Sequence, residues 1–232
     1  MTGSHYAIVP AAGIGARIGA ELPKQFIQIG QRTVLDYTLQ ALLSCTVIKH
    51  IAVILSPSHA FHENQIKVSN ERISFVFEGG DTRAQTVANG LHYFSSKIRE
   101  NDWILVHDAA RPCLQNQLLE RLFEEVGEDE VGGILALPIS DTVKESDTEG
   151  RILKTQDRQK LWAAQTPQMF RFKHLSQALT HPPTGITDEA SAIEALGLKP
   201  KLVRGAISNI KITYPEDLGL AESILRQQGR YE

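Results

Sequence analysis

Five short runs of apolar, often β-branched residues alternate with segments of helical period, and this alternation constrains the fold more than any other feature. The runs are Tyr6–Pro10, Ile51–Ser56, Ile73–Phe77, Trp103–His107 and Gly133–Leu137. Between them lie Thr33–Ser44, Ser58–Val68, Thr82–Phe94 and Gln115–Glu125, apolar at about every third or fourth position. Strands alternating with helices predict βαβ units: an α/β fold with a mostly parallel, twisted sheet and helices on both faces. A chain of 232 residues suits a single domain, residues 1–232, with a sizeable core.

The pattern changes near residue 139. The stretch ISDTVKESDTEGRILKTQDRQKLWAAQTPQMF holds two short alternating segments, Asp141–Glu145 and Ile152–Thr155, joined by the polar turn SDTEG. They predict a protruding β-arm of approximately residues 139–160, inserted between the last central strand and the next helix. An isolated arm leaves long strand edges open, so a second copy of the chain is its expected cover; a hairpin folded onto its own domain is the alternative. Helices are expected at Arg171–Leu179, Asp188–Leu196 and Pro215–Gln227, the last two opening with a capping residue and acids. Lys201–Arg204 and Ile210–Thr213 are expected to finish the sheet.

Charge and composition exclude several function classes. A net charge of −3 gives no general attraction to nucleic acid or acidic lipid. No apolar stretch approaches the roughly 20 residues that span a bilayer, and the start MTGSHYAIVPAAG lacks the pattern of a signal peptide. The two cysteines, Cys45 and Cys113, have no metal-type spacing and read as small buried hydrophobes of a reducing compartment. A cytoplasmic protein without nucleic-acid or membrane partners is expected.

The first strand leads into PAAGIGARIG. Its glycines, Gly13, Gly15 and Gly19, are spaced G-x-G-x-x-x-G, and the second full strand ends Leu55-Ser56-Pro57 without the acid that a dinucleotide site needs for a ribose. Asp36 lies at a tolerable distance but inside a helix candidate. A Walker loop is absent too. What remains is a glycine loop with cations built in: backbone N–H groups to cradle phosphate, Arg17 to grip it, and Lys24 as a mobile point charge. That design suits a nucleoside triphosphate.

Further on, EGGDTRAQTVANGL follows a strand with Gly79-Gly80 and opens a helix, with Arg83 and Thr86 on one face of its first turn. In WILVHDAARPC a strand ends in His107-Asp108 and turns through Arg111. An acid at that end of a central parallel strand sits where such sheets bind ligands, suited to a ribose hydroxyl or Mg²⁺. Strand alternation points His107 to the opposite face, which favours a structural role. Asp157-Arg158 closes the arm, and Lys211 in SNIKIT is out of place in a strand unless it faces ligand or solvent.

PAAGIGARIG, PKQF, GGDTRAQT, VHDAARP, DTVK, DR, LW, QTPQMF, TDEAS and NIKIT occur in that order and span nearly the whole chain. Together they resemble the 2-C-methyl-D-erythritol 4-phosphate cytidylyltransferase family of the non-mevalonate route to isoprenoids. The resemblance implies a Rossmann-like nucleotidyltransferase fold, a homodimer with exchanged arms, CTP and the methylerythritol phosphate as substrates, and Mg²⁺ as cofactor. By position, the CTP loop falls on Pro10, Ala11, Ala12, Gly13 and Gly15, and the cytosine-reading segment on Gly80, Asp81, Arg83 and Thr86. The ribose and metal region falls on Asp108, Ala109 and Arg111, with Asp108 the one expected protein contact to a metal held mainly by CTP. The resemblance gives Arg17, Lys24 and Lys211 the catalytic charges. It assigns the acceptor to Arg111, Thr166 and Thr187, with Thr142 and Arg158 from the neighbouring subunit's arm. Ser208 stands where relatives commonly carry an acid.

Two other readings compete. Ribitol-5-phosphate cytidylyltransferases share the chemistry but tend towards A-G-G and D-A-V-R-P-F, whereas this chain has Ala11-Ala12-Gly13 and Asp108-Ala109-Ala110-Arg111-Pro112-Cys113. A non-catalytic nucleotide-binding module has no use for Arg17, Lys24, Asp108, Arg158 and Lys211 together.

Overall fold

The computed structural model describes residues 3–13, 22–58, 64–180 and 185–232. Its centre is a seven-stranded sheet. In chain order its strands are β1 (His5–Pro10), β4 (Ile48–Ile54), β5 (Ile73–Val76), β6 (Trp103–Val106), β7 (Gly132–Pro138), β10 (Trp162–Arg171) and β11 (Lys201–Arg204). In space they run β11-β7-β10-β6-β1-β4-β5. The pairs β1–β4, β1–β6, β4–β5 and β7–β11 are parallel, and only β10 runs against its neighbours β6 and β7. Two small ladders complete the strands, β2 (Gln28–Ile29) with β3 (Arg32–Thr33), and β8 (Val143–Ser146) with β9 (Ile152–Gln156).

Period-two alternation explains the two covered faces. Ala7, Val9, Trp103 and Leu105 point to one side, under Leu35, Leu39 and Leu42 of α1 (Val34–Leu43) and Leu119 and Leu122 of α3 (Asn116–Val126). Ile8, Ile104 and Val106 point to the other. There they meet Val87, Leu91 and Phe94 of α2 (Arg83–Phe94), Leu175 of α4 (Phe172–Thr180) and Ile193 of α5 (Glu189–Glu194). A smaller cluster seats α6 (Glu216–Gln227) through Ala221 and Leu225 against Val34, Tyr37 and Ile212. No helix among the described residues is long and apolar enough to cross a membrane.

Three elements differ from expectation. β10 was not expected: its run is broken by Pro167, and a proline inside a run argues against a central strand. The proline is tolerated because pairing with β7 is interrupted between Ala164 and Gln168. The arm therefore lies between β7 and β10, not between a strand and a helix. The helix expected over Ser58–Val68 is absent at 66–68, while 59–63 lie outside the described residues. Here the backbone N–H groups of Lys67 and Val68 donate to Oδ1 of Asp36 at 2.8 and 2.9 Å. Asp36 also closes a capping box with Thr33, so this fully buried acid is structural. Finally, Ile210–Thr213 is an irregular segment rather than a strand, held in part by Ile212 N donating to Ala110 O at 2.8 Å.

Candidate active site

Strand order reverses around β1, with β4 on one side and β6 on the other, and a crevice opens beyond the strand ends at such a switch point. A cavity of about 630 Å³ lies there. Pro10–Gly13 line it after β1, Gly80–Arg83 and Thr86 at the start of α2, and Asp108–Ala110 after β6; Lys24, Gln25, Lys211 and Thr213 complete the wall.

The loop after β1 is fixed from below. Gln25, buried next to Lys24, donates through Nε2 to Ala11 O at 2.8 Å and Gly13 O at 3.0 Å. Those bonds hold the carbonyls, while a Cβ added at Gly13 would meet nothing within 4 Å, leaving the cavity side open. Gly79 makes the second wall possible: a Cβ there would lie 2.3 Å from that of Ala12. Thr86 Oγ1 accepts from Gly80 N at 3.2 Å, and Thr82 caps α2.

Charge concentrates on Asp108, which is 7% exposed. Oδ1 accepts from Arg83 Nε at 3.1 Å and pairs with its Nη2 at 3.0 Å. Oδ2 lies 2.9 Å from Lys211 Nζ and 3.5 Å from Arg111 Nε. Burial alone would raise the pKa of Asp108, but Arg83, Lys211 and Arg111 override it and hold the group far below the usual carboxylate range. Arg83 in turn grips Glu189 in two bonds, Nη1–Oε1 at 2.6 Å and Nη2–Oε2 at 3.0 Å. Burial works against the charge of Arg83, yet Glu189 and Asp108 raise its pKa. Glu189 has only 1% of its side chain exposed, and there burial prevails over Arg83 and moves the acid upward.

A polar lattice supports this charge from behind. Thr166 Oγ1 accepts from Asp108 N at 3.0 Å and lies 3.0 Å from His107 Nδ1. Arg111 O, 3.3 Å from His107 Nε2, can only accept, so Nε2 carries the proton of the neutral ring and the Thr166 hydroxyl donates to Nδ1. Burial holds His107 neutral, with a pKa lowered to about 4. Arg111 Nη1 donates to Asn209 O at 2.7 Å, and Asn209 Nδ2 donates to Thr166 O at 2.8 Å. These bonds fix the irregular segment that carries Lys211.

The structure brings together Pro10, Ala11, Ala12, Gly13, Lys24, Gly80, Asp81, Arg83, Thr86, Asp108, Ala109 and Lys211 in one cavity. Gly15 and Arg17 lie outside the described residues. Arg111 and Thr166 are buried behind the wall, with Arg111 Nη1 and Thr166 Oγ1 bonded to the protein. Thr142, Arg158 and Thr187 are exposed and outside the cavity lining, with Arg158 Nη1 donating to Ser140 O. Gln25 and Glu189 lie within the motifs PKQF and TDEAS, but neither is a site candidate from the sequence, where Glu189 reads as a first-turn acid.

Among the described residues no three His, Cys, Asp or Glu side chains converge as a metal site. Asp108 is already met by three cations, and Asp81 is a second carboxylate lining the cavity. A magnesium ion fits here only if phosphate oxygens and water supply most of its ligands.

Comparison with known proteins identifies the family. The family described as 2-C-methyl-D-erythritol 4-phosphate cytidylyltransferase matches residues 5–227. A protein of that name from Dechloromonas aromatica (strain RCB) is 49% identical over 223 residues, covering 96% of this chain and 97% of its own. A crystal structure of 4-diphosphocytidyl-2C-methyl-D-erythritol synthase is 39% identical, with a TM-score of 0.85, covering 97% of this chain and 99% of its own. The cytidylyltransferase structure from Francisella tularensis is 34% identical, with a TM-score of 0.82 over 96% of this chain and all of its own. With a matching family, near-complete coverage and one cavity holding the expected loops, the chain belongs to the 2-C-methyl-D-erythritol 4-phosphate cytidylyltransferase family.

Proposed function

We propose that the protein transfers CMP from CTP to 2-C-methyl-D-erythritol 4-phosphate, giving 4-diphosphocytidyl-2-C-methyl-D-erythritol and pyrophosphate, as a cytoplasmic enzyme of isoprenoid precursor synthesis. The observation that carries this reading is the convergence of Lys24 and Lys211 on a cavity walled by the Pro10–Gly13 backbone and the start of α2.

The acceptor is a phosphate monoester with a second pKa of about 6, largely dianionic at neutral pH, so attack needs no general base. His107 is unavailable as one, being buried with both ring nitrogens engaged. An acceptor phosphate oxygen forms a bond to the α-phosphorus of CTP, the bond from that phosphorus to the bridging oxygen breaks, and pyrophosphate leaves. The barrier is electrostatic, because a dianion approaches a polyanion while charge grows on phosphorus and on the leaving group. Positioned cations address both.

Lys24 and Lys211 serve the α-phosphate, and Arg17 serves the leaving group. Lys24 Nζ donates to Ile212 O at 2.9 Å, and Lys211 pairs with Asp108 at 2.9 Å. Each therefore exchanges a protein acceptor for a phosphate oxygen as CTP enters. When bound with CTP, Mg²⁺ would offset charge on the phosphate oxygens, and Asp108 would hold it, with Asp81 a second carboxylate lining the cavity. Gly80, Asp81 and Thr86 take the cytosine, and Ala109 borders the ribose.

The arm supports a homodimer. Ile152 is 64% exposed and Leu153 60%, with Leu161 and Trp162 open at the arm's base. A second copy buries this apolar strip and carries Thr142 and Arg158 to the acceptor beside Arg111, Thr166 and Thr187.

The test measures pyrophosphate release with each of the four nucleoside triphosphates against methylerythritol phosphate and ribitol 5-phosphate. Release is expected with CTP and methylerythritol phosphate. Faster release with ribitol 5-phosphate would move the assignment to the pentitol, and no release with any pair would reduce the protein to a nucleotide binder.

A further inference from the structure

Glu189 is a buried carboxylate that the proposed reaction does not use, and it touches the nucleotide cavity only through Arg83. We propose that Glu189 is a positioning residue for the nucleotide: it holds Arg83 at the cavity wall, and Arg83 holds the carboxylate of Asp108. The inference rests on the cytidylyltransferase reading and deepens it.

Several observations support the assignment. Both oxygens of Glu189 are used on one guanidinium, at 2.6 and 3.0 Å, across 106 residues of sequence. This is the planar, two-bond recognition that a lysine or a neutral acceptor does not reproduce. Glu189 itself does not follow Arg83 about, because its backbone is pinned from β10. Ala190 N donates to Gln168 Oε1 at 2.9 Å, and Gln168 Nε2 donates to Asp188 Oδ2 at 2.8 Å. Asp188 also closes a capping box with Ser191. The acid is thus a fixed reference and the arginine the part being placed.

Arg83 is a cavity residue with 28% of its side chain exposed. A long side chain held only by Asp108 is free to swing towards the triphosphate or into solvent, and ordering it again on binding weakens affinity. The charge count points the same way. Arg83, Arg111 and Lys211 surround Asp108, and without Glu189 three cations would compete for one carboxylate. Lys211 would then lose its defined resting place on Oδ2. Glu189 lets Arg83 share its charge, so that Asp108 is left to orient Lys211.

The experiment is calorimetric titration of magnesium-CTP into the full-length protein and its variants, with steady-state KM values for both substrates. Glu189→Gln keeps the shape but turns an amide N–H₂ towards a guanidinium. It is expected to weaken CTP binding about tenfold and to raise KM for CTP in parallel, with KM for the acceptor within about twofold. Glu189→Asp keeps the charge but shortens the reach, and should fall between; if Glu189→Gln does not fold, it carries the same comparison. In an Arg83→Gln background, Glu189→Gln should add less than about twofold, because the two residues act as one unit. CTP affinity within twofold of the parent in a folded variant would overturn the proposal. So would full additivity with Arg83→Gln. A rise confined to the acceptor KM would place the effect in the neighbouring Thr187 and overturn it as well. Since CTP binding is read without turnover, loss of the cytidylyltransferase reading would show separately, as a parent protein that binds CTP but releases no pyrophosphate.

Discussion

The nucleotide wall and the arm are built on opposite principles. Around Asp108 the contacts come from the chain itself: Arg83, Arg111 and Lys211 meet its carboxylate, Thr166 receives its N–H, and Asn209 ties the segment bearing Lys211 to β10. Along β8 and β9 nearly every residue faces solvent, including Ile152 and Leu153. One region is finished by the folding of a single chain, and the other presents apolar surface that its own chain leaves uncovered. A polyanionic nucleotide gains most from dipoles and charges already in place, with Lys24 and Lys211 having only to exchange partners when it binds. An acceptor site completed by association, as proposed, would instead make catalysis depend on the dimer.

The comparison breaks first at Asp108. Asp108→Asn leaves Arg111 and Lys211 without their anion and Arg83 with Glu189 alone, and should cost about 3–5 kcal/mol of unfolding free energy at pH 7. The sign with pH follows from the depressed carboxylate. Its stabilisation is complete above the ordinary value of about 4 and is lost as pH falls from there towards the lower folded value. Urea unfolding across pH 3–7 should therefore show the parent losing stability on acidification and the variant losing less. A variant as stable as the parent at pH 7 would show that charge does not build this wall.

Lys24→Ala comes next, with kcat lowered by roughly 10²–10³-fold, the scale of one lost transition-state donor. Turnover within about threefold of the parent would remove Lys24 from the chemistry. On the other side of the comparison, Leu153→Glu places a charge in the apolar strip and should weaken self-association by about 1.5–3 kcal/mol, read by sedimentation. An unchanged dissociation constant would detach the strip from the interface. The smallest effect is expected at Arg158→Ala: a rise of about tenfold in KM for the acceptor, roughly 1.4 kcal/mol, with KM for CTP unchanged. The reverse pattern would put the arm on the nucleotide side.

Elements with clean periodicity were legible in the sequence. Lys201–Arg204 is a strand with the expected bounds, and α2 starts one residue after the expected Thr82, which serves as its cap. The failures share a cause, in that tertiary partners overrode local pattern. Pro167 hid β10, because the ladder gap that tolerates it depends on two neighbouring strands. Asp36 recruited Lys67 and Val68 out of a helical period. In the site, Lys211 could be found as a cation in an apolar stretch, but its segment is a loop, not a strand. Gln25 and Glu189 gave no local signal, because each acquires its role from atoms far off in sequence, Ala11 O for one and Arg83 for the other.

Strand β10 also sets where the chain can change length. It begins at Trp162, at the base of the arm, and four residues later presents Thr166 to Asp108. Inserting or deleting one residue between them would put the Trp162–Ala164 pairing with β7 out of step with the Gln168–Phe170 pairing that places Thr166. At the SDTEG tip the constraint is local: Gly150 turns the chain with a positive φ of 80°, and a Cβ there would meet no atom within 4 Å. Insertions and deletions should therefore be tolerated at the tip of the arm and forbidden at its root.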